Sequence, residues 1–410
     1  MNIYINSLLR VPSDGELEVV ERKGVGHPDT LADGLAEKIS IDYSRYCLEK
    51  YGVVLHHNVD KICIMGGLIK IHDWGKAEMI KPIRVLVNGR ISPGFGNNIV
   101  PLKTIFKKAI HTQLKKTLPY LDLQRWIKII DESTSYSKNP RWFNPVTLDD
   151  LPEYTMPYAN DTSTVVGYWP LTLTEELALK MEGFFYRGDR NPKLKFVGHD
   201  IKVMVVRKKK QFDITLCIPF IVNETQSYKF YKEKVGFITG LLTDIAQKHV
   251  SNKYRVNVYV NNHYRSIKKE NIEKIDGYYC NVSGSALDYG EEGLVGRGNN
   301  RRGIIPSFRT HTMEAAWGKN PVYHVGKVLG LVVDTLAKSI ATKYNCQAQI
   351  VAITRVADPL YKPYNLLVST SKQISKNSLK EIILTTLSRR DWTKKIIFDE
   401  ILIPKTNFIY

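Results

Sequence analysis

Residues 21–38 read ERKGVGHPDTLADGLAEK: two glycines, a histidine, a proline and an aspartate, then an apolar rhythm. Pro28 suits the first turn of a helix, where its missing N–H costs nothing. Leu31, Ala32, Leu35, Ala36 and Ile39 recur at the spacing of one helix face, so a helix over 28–50 buries that stripe. His27 therefore falls at a helix N-terminus, where unpaired N–H groups and the positive dipole end favour an anion. Gly24 and Gly26 are expected to let the backbone come close to a ligand. Asp29 is either a plain dipole partner or, beside a phosphate and with Glu21 six residues before His27, a magnesium ligand.

Working outward, strand-like segments run through VVLHHNVDKICIMGG (53–67), IKPIRVLVNGR (80–90), DIKVMVVRKK (200–209), FDITLCIPFIV (212–222), YRVNVYVNN (254–262) and CQAQIVAITRV (346–356). Helical patterns over 103–117, 173–183, 226–249, 321–343 and 377–388 alternate with them. Such interleaving predicts an α+β protein with helices on one face of its sheets. The stretch 133–172 is the least regular, and 283–303 is a second polar, glycine-rich loop. The basic run RKKK (207–210) lies between two strand-like stretches and reads as a solvated hairpin tip.

The chain of 410 residues is long enough for two or three cores. Its apolar content of 43% and charged content of 24% are ordinary for soluble proteins, and no apolar run reaches membrane-spanning length. Residues 1–16 have no basic segment followed by a long apolar run, which argues against an export signal. Five scattered cysteines without CxxC spacing point to reduced thiols and a cytoplasmic location. The net charge of +18 calls for an acidic partner, whether nucleic acid, a membrane surface or phosphates in a pocket, yet the lysines are spread evenly, as a compositional bias would leave them, which argues against a dedicated nucleic-acid surface.

Further clusters carry the same chemistry. Residues 291–306, EEGLVGRGNNRRGIIP, place Arg297, Arg301 and Arg302 among glycines, an arrangement suited to polyphosphate or to a basic surface loop. MEAAWGKNPVYHVGK (313–327) fails the G-x-x-x-x-G-K-[ST] pattern but leaves Lys319, His324 and Lys327 near a helix expected to start at Pro321. In HDIKV (199–203) the period of two puts Asp200 and Lys202 on one strand face, possible as a simple charge pair. YANDTSTVVGY (158–168) is an acidic, hydroxyl-rich turn in which Asn160 is suited to capping backbone.

In order, the motifs ERKGVGHPDTLADGLAE, YGVVLHHNVD, KPIRVLVNGR, ANDTS, VGYWPLT, DIKVM, VNVYVN, GLVGRGN, GIIP and MEAAWGKNPVYHVGK resemble archaeal-type S-adenosylmethionine synthetases over nearly the whole chain. The resemblance implies three similar α/β units, with sheets on one side and helices on the other, and active sites at a homodimer interface. Approximate, interleaved units are expected at 1–135, 136–275 and 276–410. It implies ATP and L-methionine as substrates, Mg2+ and K+ as cofactors, and neither membrane nor nucleic acid as partner. Methionine sulfur would attack C5′ of ATP and tripolyphosphate would leave, later to be cleaved to pyrophosphate and phosphate.

Carried onto this chain, His27 would bond the leaving oxygen or adjacent phosphate, and Glu21 and Asp29 would hold magnesium. Lys202, Arg297, Arg301, Lys319 and His324 would bind phosphates, with Asp200 at the ribose or phosphates and Tyr279 on adenine. Asp161, Asn160 and Glu291 would face methionine. The chain departs from the family at Glu291-Glu292, which stands for Asp-Asp, and at Asn300, which stands for arginine. The stretch ESTSYSKNPRWFNP (132–145) lacks the family's glycines. These departures leave open a homologue of the same fold that uses another acceptor or serves as a non-catalytic subunit.

Overall fold

A computed structural model describes residues 1–186, 194–262 and 273–404. The principal elements are β1 (Asn2–Asn6), β2 (Leu17–Lys23), α1 (Pro28–Tyr51), β3 (Cys63–Met65), β4 (Ile83–Ile91), α2 (Leu102–Thr117), β5 (Ile127–Thr134), β6 (Thr164–Trp169) and α3 (Leu173–Gly183). They continue with β7 (Lys202–Lys208), β8 (Gln211–Cys217), α4 (Tyr228–Val250), β9 (Arg255–Val260), β10 (Glu292–Leu294), β11 (Ile305–Pro306), α5 (Gly330–Tyr344), β12 (Ala348–Ile353), β13 (Asn365–Thr370) and α6 (Lys376–Ser388).

Local chemistry sets the helix ends. His27 caps α1 through its ring, Pro28 opens the first turn, and Gly52 closes the helix in the left-handed region at φ 70°. Thr172 and Glu175 form a reciprocal capping box on α3, while Ser227 and Ser375 cap α4 and α6. The stripe Leu31, Ala32, Leu35, Ala36 and Ile39 is fully buried, as its spacing predicts.

Three mixed sheets follow. Their strand orders are β1-β13-β12-β6, β5-β4-β3-β10, and β9-β8-β7-β2-β11. A separate apolar cluster lies against each: one with α5 and α6, one with α1 and α2, and one with α3 and α4. β1 pairs with β13, and β2 sits between β7 and β11, so distant stretches of chain share a sheet.

Several local expectations are corrected. β6 lies inside the stretch read as irregular, where it pairs with β12. The helix expected from Pro321 starts later, as a π turn over Val325–Leu329 capped by His324. In RKKK, Lys209 forms the hairpin tip at φ 52° and residues 208–210 are exposed, but Arg207 is buried. Its guanidinium donates to Glu18 Oε2 at 3.4 Å and to the carbonyl of Gly15 at 2.9 Å. A buried carboxylate on the neighbouring strand, not solvent, receives that charge.

Candidate active site

β2 delivers the mouth of α1 and is anchored by a buried ion pair. Arg22 Nε and Nη2 both donate to Glu182 Oε2, at 2.9 and 2.8 Å, and Glu182 Oε1 accepts the N–H of Val25 at 3.2 Å. The glycines that follow serve packing. A Cβ on Gly24 would meet Ile201 O at 2.5 Å, and one on Gly26 would meet the Asp200 nitrogen at 2.7 Å. The close approach expected toward a ligand is thus made to the chain at 199–201.

His27 ends this turn with its ring across the helix terminus. The backbone N–H of Asp29 donates to its Nδ1 at 3.2 Å. Burial pulls the His27 pKa down to about 4, opposed by Asp29 and aided by Lys23 and Lys202. The imidazole is therefore neutral at physiological pH, and because Nδ1 accepts, its one proton sits on Nε2. His27 presents a neutral N–H donor beside a helix N-terminus.

Around it stand alternating charges. Lys23 Nζ donates to Asp29 Oδ2 at 2.8 Å and to the carbonyl of Arg297 at 2.7 Å. Lys202 Nζ lies 3.0 Å from Glu21 Oε1. Lys23 and Lys202 are direct partners in the β2–β7 register. The guanidinium of Arg297 makes no ion pair with the described residues, and the side chain is exposed.

The glycine-rich loop packs on the first turn of α1. Leu294 N–H donates to Asp29 Oδ1 at 3.0 Å, and Gly296 N–H donates to Asp33 Oδ1 at 2.8 Å. Burial pushes the Asp33 carboxyl well above its usual range. Lys23 and Asn299 then lock together: Lys23 N–H donates to Asn299 Oδ1 at 3.0 Å, and Asn299 Nδ2 donates to the Lys23 carbonyl at 2.6 Å. Arg301, expected at phosphates, is turned to Asp334 Oδ2 at 2.9 Å and the Val166 carbonyl at 2.7 Å, which fixes the loop to α5 and β6.

A second constellation surrounds Lys319. Its Nζ donates to Glu314 Oε1 at 2.5 Å, and Glu314 Oε2 accepts from Ser163 Oγ at 2.8 Å. Asn160 accepts the Val325 N–H at 2.9 Å and meets His324 Nε2 at 3.2 Å. Burial, then Lys319 and Lys327, hold the His324 pKa well below its usual value. Asp161 is exposed and accepts the N–H of Thr162 at 2.7 Å. A cavity of about 600 Å³ is lined by Glu21, Lys23, Arg297 and Glu314, whereas His27, Lys202 and Lys319 do not line it. That size suits a nucleotide-like ligand.

Asp200 and Lys202 do not share one environment. Asp200 precedes β7 and is 3% exposed, whereas the Lys202 side chain is exposed. Asp200 accepts from Ala286 N–H at 2.8 Å and hydrogen-bonds to Tyr279, while burial raises its pKa to about 7. Tyr279 thus engages Asp200 through its hydroxyl. Glu291 is exposed and adds to the charge felt by Asp200.

Among the described residues no three or more His, Cys, Asp or Glu side chains converge on a metal position. Glu21 and Asp29 nonetheless fit a small hard cation that takes one or two carboxylates and completes its shell with phosphate and water. Asp29 in particular keeps one oxygen anchored on backbone, and among the described residues the other meets only an ammonium.

The sequence reading passed over Lys23, Asp33, Glu182 and Asn299. None had a local signal: Lys23 shares a strand face with Glu21, but that strand lacks apolar alternation in sequence, and the partners of the other three lie far along the chain.

Taken together, the helix mouth gathers a neutral histidine donor with two lysines, each paired to a carboxylate. The chain belongs to the S-adenosylmethionine synthetase family, whose model, S-adenosylmethionine synthetase (AdoMet synthetase), matches residues 1–398. S-adenosylmethionine synthase of Pyrococcus furiosus is 34% identical over 385 residues, covering 93% of this chain and 92% of the relative. That of Thermoplasma volcanium is 34% identical over 367 residues, covering 88% of each, in keeping with the archaeal-type branch. An uncharacterized protein of Streptococcus pyogenes serotype M3 is 42% identical over 414 residues, covering 99% of both chains. No described helix is long and apolar enough to cross a membrane.

Proposed function

We propose that the protein is a methionine adenosyltransferase, forming S-adenosylmethionine from ATP and L-methionine and then cleaving the released tripolyphosphate to pyrophosphate and phosphate. The observation that carries this reading is His27: a neutral imidazole whose Nε2–H donor is left free of the helix cap and stands near Lys23 and Lys202.

In the reaction the methionine sulfur bonds to C5′ and the C5′–O bond breaks. Its electron pair stays on the triphosphate oxygen. Sulfur becomes a sulfonium and loses no proton, so no general base is required. What remains is orientation and stabilisation of growing negative charge. His27 Nε2–H would donate to the leaving oxygen, a bond that strengthens as charge develops there. Lys202, Lys319 and Arg297, whose guanidinium has no ion pair among the described residues, would hold the phosphates, and the helix terminus adds its dipole. Asp200, with Tyr279, is assigned to the nucleoside end, and Asp161, Asn160 and Glu291 to methionine.

Mg2+, held by Asp29 and Glu21, would supply charge neutralisation of the phosphates when bound. A K+ requirement rests on the family alone, as do the homodimer and the three-unit division, while a cytoplasmic location rests on the scattered, unpaired cysteines. The test is product analysis with ATP, L-methionine, Mg2+ and K+. Formation of S-adenosylmethionine supports the reading, and turnover only with a different acceptor would replace it.

A further inference from the structure

Resting on that reading, we propose that Lys23 acts as an internal counter-ion that guards Asp29. Its ammonium holds the carboxylate in the free protein and transfers to the triphosphate on binding, so Asp29 opens to a divalent cation only as the polyanion arrives.

The strand register motivates the idea. Lys23 and Lys202 are direct cross-strand partners, and like charges placed opposite each other destabilise a strand pair unless each is compensated. Here each turns to its own carboxylate, Lys23 to Asp29 at 2.8 Å and Lys202 to Glu21 at 3.0 Å. The cradle is thereby neutralised internally before any ligand enters.

Exchange, not permanent pairing, follows from how Asp29 is held. One of its oxygens accepts the Leu294 N–H, a backbone bond that survives if the lysine leaves. Among the described residues the other meets only Lys23 Nζ. The carboxylate therefore keeps its position while its partner changes. Lys23 and Asp29 side chains are 15% and 11% exposed, so their attraction is weakly screened and a bare Asp29 would be costly. A cation binding the free protein must displace an ammonium already in place.

Lys23 also has somewhere to go. It lines the cavity of about 600 Å³ together with Arg297, whose guanidinium has no ion pair among the described residues. A triphosphate there would compete with Asp29 for the ammonium. By linkage, triphosphate and divalent cation must then favour each other's binding.

Two titrations on the full chain test this, neither requiring turnover. In the first, metal-free protein is titrated with Mn2+ alone, and free Mn2+ is counted by electron paramagnetic resonance. Lys23→Met is expected to bind Mn2+ about tenfold tighter than wild type, the coupling typical of a close charge pair. Lys23→Arg, which keeps the charge, should stay near wild type, and adding Asp29→Asn to Lys23→Met should abolish the gain. In the second, inorganic tripolyphosphate is titrated by calorimetry in chelated buffer. Asp29→Asn should tighten its binding by freeing Lys23, and Lys23→Met should weaken it. Lys23→Gln repeats both arms if the methionine variant fails to fold.

Unchanged or weaker Mn2+ binding by folded Lys23→Met, or unchanged tripolyphosphate binding by Asp29→Asn, overturns the exchange. If wild type forms S-adenosylmethionine and these titrations stay flat, only the exchange fails. If the titrations behave as expected and no S-adenosylmethionine forms, the exchange stands and the assigned reaction falls.

Discussion

Replacing His27 separates its two jobs. Its Nδ1 caps α1 by accepting the Asp29 N–H at 3.2 Å, and its Nε2–H is left to donate outward. His27→Ala removes both. The lost cap costs about 1 kcal/mol of stability. The lost donor, if it meets the leaving oxygen, costs about 2.7–4 kcal/mol of transition-state stabilisation, or roughly 10²–10³ in kcat. His27→Asn keeps a capping oxygen at the helix start but lacks the reach of the ring. It should hold the wild-type melting temperature more closely than His27→Ala while losing the same activity. The assay is a pre-steady-state measurement of adenosyl transfer beside equilibrium binding of ATP, with thermal melts of all three proteins. ATP affinity is expected to change far less than the transfer rate, because the ground-state oxygen carries less charge. Equal losses in affinity and rate, or near-wild-type transfer by His27→Asn, would refute the role.

Three further outcomes follow from the packing and the buried charges. Gly293→Ala places a Cβ 2.0 Å from the Pro28 carbonyl oxygen, so the loop must move off α1, at about 1–3 kcal/mol; unchanged stability and activity would contradict that packing. Glu182→Leu removes the carboxylate that balances the buried charge of Arg22, whose guanidinium also donates to the Gly303 carbonyl, and should lower stability by about 3–5 kcal/mol in urea titrations. The double variant with Arg22→Met should recover part of that loss, and a single-variant cost near zero would dismiss the anchor. Asp200 has a folded pKa raised from 3.8 to about 7, so the folded state binds more protons between those values and loses stability as pH rises through that window. Asp200→Asn should therefore flatten the fall in melting temperature from pH 5 to pH 8, and an unchanged slope would show that Asp200 is not the group responsible.

The mouth of α1 was legible because its signals are local. Pro28, the stripe from Leu31 to Ile39 and the cap at His27 all lie within four helical turns. β2 was hidden because its buried face is Glu18, Val20 and Arg22, so the usual apolar alternation is absent. Those charges are tolerated only through distant partners: Thr172 and Thr174 donate to Glu18, each at 2.6 Å, and Glu182 receives Arg22. No window of sequence around residue 20 contains them. The same distance effect conceals why Gly24 and Gly26 are glycine, since the obstructing backbone belongs to residues 199–201. Arg297 and Arg301 looked alike in sequence. The structure divides them, one guanidinium without an ion pair among the described residues and the other spent on Asp334.

Mass spectrometry of the products from ATP and L-methionine, with ATP alone as control, tests the central claim most directly. The account predicts S-adenosylmethionine, with pyrophosphate and phosphate in equal amounts, only when methionine and Mg2+ are both present. ATP consumption that yields no S-adenosylmethionine, or a product that forms equally well without methionine, would contradict it.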